Sequence, residues 1–225
     1  KGEIHGLELA RAAGLNAATG KVVTIDNVNV AVIDRFDRTL TGRRIPYWSM
    51  ATFLQSTEDG YPPPCYTELN ERLYLQADRQ DKTTAKEIVG RLLLNYLINN
   101  TDDHGRNTGL LMRNNGVWVL SPAFDINPVP LSRPEAPYVS KNYLSLAEGE
   151  IEDVRQIWDN LAAFDLTDEE GCEIFKRVIG AVRNWKTLAV KPAVRMNASD
   201  LRDYAPAFSS VRMQKAAELA ARFEN

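Results

Sequence analysis

Three side chains between Asn95 and Pro130 stand at spacings that suit phosphoryl transfer: Asp102, Asn107 and Asp125. Asp102 precedes Asn107 by five residues, so a single tight loop can deliver both side chains to one pocket. A carboxylate there accepts a hydroxyl proton, and a side-chain amide oxygen ligates a cation. Magnesium takes hard oxygens and usually only one or two carboxylates from the protein, and Asn107 with Asp125 make such a set. Asp and Asn also form turns through local hydrogen bonds, and the five-residue offset alone fits a turn. His104 between them, an apolar helix before, a hairpin after and Asp125 beyond it together favour a site. Asp103 reads as a solvent-facing turn residue, and His104 as a structural or nucleotide-contacting histidine.

These residues need elements to hold them. In TAKEIVGRLLLNYLI, apolar pairs at Ile88/Val89, Leu92/Leu93 and Tyr96/Leu97 recur at helical spacing, within a helical pattern running from Tyr66 to Asn99, where Asn suits a left-handed stop. Gly109–Met112 and Val117–Leu120 flank Asn114-Asn115-Gly116, a strong hairpin signal that puts the Asp102–Asn107 loop before the hairpin and Asp125 after it. Upstream, residues 3–13 read as a helix stopped by Gly14. Lys21–Ile25 and Val28–Ile33 read as a second hairpin about Asp26-Asn27, its second run apolar enough for a buried strand. Residues 37–48 read as a basic exposed loop, Ser49–Leu54 as a short helix and 56–66 as irregular. Ser132–Ala147 reads as loop. Ile151–Ala163 is an amphipathic helix, Thr167–Glu170 a capping box opening a helix through Trp185, and Ser209/Ser210 the cap of a final helix ending near Arg222. A small β-element followed by a mostly helical lobe is an α+β architecture.

Composition narrows the class. At 225 residues, with 44% hydrophobic and 25% charged residues, the chain is an ordinary globular one, and a net charge of -3 argues against a surface that coats nucleic acid. Cys65 and Cys172 are far apart, which disfavours a disulfide framework or thiolate metal site and fits a reducing cytoplasm. With only His5 and His104, a zinc site would need unusual ligands. No apolar run approaches the roughly 20 residues needed to span a bilayer, and no signal peptide is evident. The chain starts at Lys1 rather than Met, as if entering mid-domain, and reads as a fragment.

Protein kinases carry their base and metal amide as H-R-D-x-x-x-x-N and their metal carboxylate in D-F-G after a strand. Here D-D-H-G-R-N keeps the first offset, and S-P-A-F-D-I keeps the second by place rather than by letters. Four stretches, LARAAGL at 9–15, VIDRFDR at 32–38, NTDDHGRNTGLL at 100–111 and LSPAFDINPVP at 120–130, resemble in order and spacing the C-terminal part of the HipA family of bacterial serine/threonine kinases, toxins of HipBA-type toxin–antitoxin systems. D-x-H-x-x-N also occurs in lipid kinases and small-molecule phosphotransferases; R-F-D-R beside it points to HipA.

The resemblance implies a protein-kinase-like fold: an N-lobe remnant and hinge over 1–38 and a helical C-terminal lobe over 39–225, with the catalytic loop at 100–111 and the metal-binding loop at 121–130. It implies an ATP- and Mg²⁺-dependent kinase acting on a translation factor or aminoacyl-tRNA synthetase. A HipB-like DNA-binding antitoxin would neutralise it, so that DNA is met only indirectly. Asp102 would be the catalytic base, and Asn107 and Asp125 the magnesium ligands. Asp34, Arg35 and Phe36 would form the hinge against adenine, with Asp37 reaching the ribose. His104, Gly105, Arg106 and Asn107, with Phe124, Asp125, Ile126 and Asn127, would line the phosphates. R-F-D-R equally fits a salt-bridged strand end, and Glu3 is a candidate partner for a phosphate-binding lysine. No Gly-rich phosphate loop and no such lysine precede the hinge in this chain; in the family both lie upstream. The expectation is an active full-length kinase and a weak or inactive isolated chain. The rivals are a small-molecule or lipid phosphotransferase and a non-catalytic module that binds an antitoxin.

Overall fold

The computed structural model describes residues 1–57, 62–76, 81–130, 137–208 and 211–222. Helix α1 (Gly2–Ala12) ends at Gly14, whose φ of +71° makes the left-handed stop expected there. Strands β1 (Gly20–Ile25) and β2 (Val28–Ile33) pair antiparallel, Ile25 opposite Val28, with Asp26 and Asn27 both at positive φ, as a two-residue hairpin loop demands. β2 is not the buried strand its composition suggests: Val28, Val30 and Val32 are exposed. The sheet has two strands, and among the described residues nothing covers its outer face.

Strand β3 (Tyr47–Ser49) lies where a loop was expected. Three residues are too few for a periodic signal, and its pairing partner is sixty residues on, Ser49 opposite Gly109. Ser49 then caps α2 (Met50–Phe53), its hydroxyl accepting from the Thr52 amide at 3.2 Å. The helical run from Tyr66 resolves into α3 (Tyr66–Tyr74) and α4 (Thr83–Leu97). β4 (Gly109–Met112) and β5 (Trp118–Leu120) form the expected hairpin and, with β3, a three-stranded sheet. The expected loop after Ser132 lies outside the described residues up to 136; beyond it, β6 (Tyr143–Ser145) pairs with β7 (Gly149–Glu150).

The rest is helical. The amphipathic stretch from Ile151 breaks at Asn160 into α5 (Val154–Asp159) and a 3-10 turn at Leu161–Phe164. α6 (Asp168–Arg183) opens on the Thr167/Glu170 capping box, and α7 (Trp185–Ala189), α8 (Ala198–Phe208) and α9 (Val211–Ala221) follow. The expected cap at Ser209/Ser210 lies outside the described residues. α4 is the axis of the lobe: Ile88, Val89, Leu92, Leu93, Tyr96 and Leu97 are all buried, and the helix packs on α3, α5, α6 and α9. α1 packs on α6 and α7. There His5 is fully buried between Trp185 and Phe208, its Nε2 donating to the Trp185 carbonyl at 2.9 Å. Burial pushes the imidazole down to about 4, so it stays neutral. No helix among the described residues is long and apolar enough to cross a membrane.

Candidate active site

The β4–β5 hairpin is what brings the two polar loops together. Leu110 lies opposite Leu120, and the Ser121 amide donates to the Gly109 carbonyl at 2.8 Å, so the segment entering β4 and the segment leaving β5 emerge at the same end. On the entering side α4 stops at Asn99 (φ +57°), the left-handed turn its sequence position suggests. The loop then closes on itself. The His104 amide donates to the Asp102 carbonyl at 3.0 Å and the Asn107 amide to the His104 carbonyl at 2.8 Å. Asn107 Nδ2 donates to the Asp102 carbonyl at 2.9 Å, which leaves its Oδ1 as the oxygen for a cation.

Asp102 and Asp103 point in opposite directions. The Asp102 side chain is 60% exposed and paired with Lys141, whose ammonium holds the carboxyl below its ordinary value and hence ionised. Asp103 is only 5% exposed, contrary to the solvent-facing role its sequence suggests. Its carboxylate accepts from the Tyr66 hydroxyl and the Asn95 side chain, two partners on α3 and α4 that local sequence does not reveal. Burial raises its pKa, and burial together with the Asp103 charge raises that of Tyr66.

On the leaving side, Ala123 is fixed to the segment after α1: its amide donates to the Asn16 carbonyl at 2.8 Å, and its own carbonyl accepts from Ala18 at 2.9 Å. Asp125 has φ +53°, and its Oδ1 accepts from Asn127 Nδ2 at 2.9 Å, leaving the second carboxylate oxygen for a metal. α1 comes so close here that a Cβ on Gly6 would sit 2.0 Å from the Ile126 carbonyl oxygen; only glycine allows this approach. One turn earlier on α1, Glu3 accepts from the Asp125 backbone amide, and burial together with the Asp125 charge raises its pKa. The structure thus sets Glu3 at Asp125. Ile126 does not join the polar residues: its side chain is buried in the core.

Asp34 to Asp37 gather separately. The Asp34 amide donates to the Thr19 carbonyl at 2.8 Å, and the Thr19 hydroxyl to Asp34 Oδ2 at 2.6 Å. Phe36 lies 5.6 Å from the Phe124 ring and 6.3 Å from the Tyr47 ring. These three aromatics, with Glu3 and Ile33 through Asp37, line an open cavity of about 390 Å³. Asp37 is bound by Arg35 (2.7 Å) and by Arg38, and Arg35 in particular lowers its pKa, so the salt-bridged reading of R-F-D-R describes this residue as well. Tyr47 escaped sequence reasoning because it sits in a basic stretch that reads as loop. His104, Gly105 and Arg106 line a different cavity, of about 330 Å³, with Lys141, Asn142, Ser56 and Pro64. A cavity of about 640 Å³ lined by Cys65, Glu68, Tyr74 and Asp165 is larger but contains none of these residues, so size does not mark the site.

The donor set suits magnesium bound together with phosphates. Asn107 Oδ1 and one carboxylate at Asp125 are hard oxygens on loops that leave one hairpin end, and a Mg²⁺ site draws few ligands from the protein. Among the described residues no group of three or more His, Cys, Asp or Glu forms an all-protein metal cage.

Residues 1–186 match the model of the HipA-like C-terminal domain. No curated protein matches the sequence. The fold superposes on HipA of Shewanella oneidensis MR-1, solved with HipB and its operator DNA, at a TM-score of 0.64 and 14% identity over 99% of this chain and 55% of that one. It also superposes on CtkA, a proinflammatory kinase of Helicobacter pylori, at 0.65 and 12% identity over 100% of this chain and 84% of that one. The chain therefore spans about half the length of the Shewanella HipA, and at these identities the likeness is one of fold. With most of its length inside the family match, the chain belongs to the HipA-like C-terminal domain family.

Proposed function

We propose that the protein is a serine/threonine protein kinase of HipA toxin type, dependent on ATP and Mg²⁺. The observation that supports it best is the hairpin end that presents Asp102, Asn107 and Asp125 from two adjoining loops, with Phe124 reaching from the second loop into the aromatic slot at the hinge. In this reading the slot takes adenine against the backbone of Asp34 to Phe36, with Phe36, Tyr47 and Phe124 as its apolar walls. Asn107 and Asp125 would hold magnesium, which supplies charge neutralisation at the phosphates when bound. Asp102 accepts the proton of the acceptor hydroxyl as that oxygen bonds the terminal phosphorus and the nucleoside diphosphate leaves.

The exposed apolar face of β1–β2 is a surface that a further packing layer would cover. Phosphoryl transfer depends on positioning and charge neutralisation, so full rate would need a phosphate-gripping loop and lysine beside the residues described here. We further assign the protein to the cytoplasm, with a translation-related substrate and a HipB-like antitoxin as partner, DNA being met through that antitoxin. The test uses γ-labelled ATP and the full-length protein in a cell extract. Label appearing on protein, and not with Asp102→Asn, is the expected result. Label passing to metabolites or lipids would replace this reading with a small-molecule phosphotransferase, and none at all would favour a non-catalytic antitoxin-binding module.

A further inference from the structure

A buried polar chain underlies the open site and has no part in the transfer just described. The Asn142 side-chain amide donates to the Tyr66 hydroxyl at 3.1 Å, and that hydroxyl donates to Asp103. Asn142 is fully buried, and Tyr66 and Asp103 nearly so. The residues one position before the two ends of this chain, Lys141 and Asp102, form the exposed ion pair, bridging 39 positions of sequence. Two links therefore run in parallel, one buried and one open.

The register behind the open link is set by the interior. Tyr138, Ser140, Asn142 and Leu144 are buried while Val139 and Lys141 are exposed, the period of extended chain. The Ser140 hydroxyl donates to the Asn142 carbonyl at 2.6 Å and accepts from the Ile151 amide at 2.8 Å. The Tyr138 hydroxyl reaches the Asn100 carbonyl at 3.4 Å, at the foot of the catalytic loop. Most exposed ion pairs contribute little because two long side chains must be ordered. Here both backbones are already clamped, and Lys141 stands at the rim of the cavity lined by His104 and Arg106.

We propose that Lys141 is a positioning residue for phosphoryl transfer, holding the Asp102 carboxylate at the rim of that cavity in a register set by Asn142, Tyr66 and Asp103. The proposal rests on Asp102 being the base. Lys141 gives up no proton in this role and makes no bond; it restricts the carboxylate to orientations from which a hydroxyl can be deprotonated.

The test is steady-state kinetics on the full-length protein with Lys141→Met, Lys141→Arg, Asp102→Asn and the Asp102→Asn/Lys141→Met double variant, with ATP affinity and Tm measured beside them. Lys141→Met is expected to lower kcat about 10- to 100-fold, with KM for ATP unchanged within about 2-fold. Lys141→Arg should recover most of the rate, and Lys141→Met should have no further effect where Asp102 is already Asn. A kcat for Lys141→Met within about 2-fold of the unmodified protein, or an equal fall in the Asp102→Asn background, overturns the proposal. Full turnover by Asp102→Asn sinks the base assignment instead, whereas an inactive Asp102→Asn beside a fully active Lys141→Met sinks only the role of Lys141.

Discussion

The loop from Asn100 to Asn107 has an open face and a buried face, and two consecutive aspartates divide between them. Asp102 stands in solvent with Lys141 and is held ionised; Asp103 is enclosed with Tyr66 and Asn95, and burial pushes it toward the protonated form. Neither residue could do the other's work. In the proposed reaction the proton acceptor must be reachable by a macromolecular substrate. A buried carboxylate satisfied by neutral donors fixes the loop, because removing it leaves those donors unpaired. Under the proposed function, chemistry and architecture are separated by one peptide bond, which makes the pair a sharp place to test it.

The largest effect expected is on the open face. Asp102→Asn should lower phosphate transfer by roughly 1,000-fold while leaving Tm unchanged, since the side chain makes only an exposed contact. Asp103→Ala should do the reverse in kind. Urea unfolding should show a loss of roughly 2–4 kcal/mol, because the Tyr66 hydroxyl and the Asn95 amide lose a buried acceptor. If the two variants exchanged these phenotypes, the division of labour drawn here would be wrong.

The helical core should respond to acid. His5 has a folded value of about 4, below its ordinary 6.5, so between those limits the unfolded chain holds more protons than the native one. Stability therefore falls as pH drops through that window and returns as pH rises. The gap corresponds to about 3 kcal/mol, complete near pH 4. Unfolding midpoints at pH 7 and pH 4.5 should differ less in His5→Phe than in the unmodified protein; equal differences would remove His5 as the cause.

A smaller effect is expected where core and site meet. Gly6→Ala places a methyl against the Ile126 carbonyl, costing roughly 1–3 kcal/mol and weakening nucleotide binding by displacing Asp125. Unchanged ATP affinity in a destabilised Gly6→Ala would show that the contact serves stability alone.

What could be read from the sequence was local. Asp26-Asn27, Asn114-Asn115-Gly116 and the Thr167/Glu170 box each act within a few residues, and each produced the expected element. The same holds for the loop that staples Asn107 to Asp102. What stayed hidden depends on distant partners. β3 is three residues whose partner strand comes far later in the chain, and the burial of Asp103 depends on Tyr66, 37 positions away. β2 misled for the opposite reason: its apolar residues have no described partner to bury against. Lys141 lay in a stretch that reads as loop, and only the interior alternation of its neighbours shows where it points.

The central claim is that one hairpin brings a loop carrying the proton acceptor Asp102 and the metal ligand Asn107 beside a second loop carrying the metal ligand Asp125. Calorimetric ATP binding to the full-length protein, with and without Mg²⁺, tests it most directly in Asp125→Asn and Asp102→Asn. The account predicts that Asp125→Asn loses the magnesium-dependent gain in affinity, while Asp102→Asn keeps it within about 3-fold. A magnesium response that survives in Asp125→Asn, or disappears in Asp102→Asn, would contradict it.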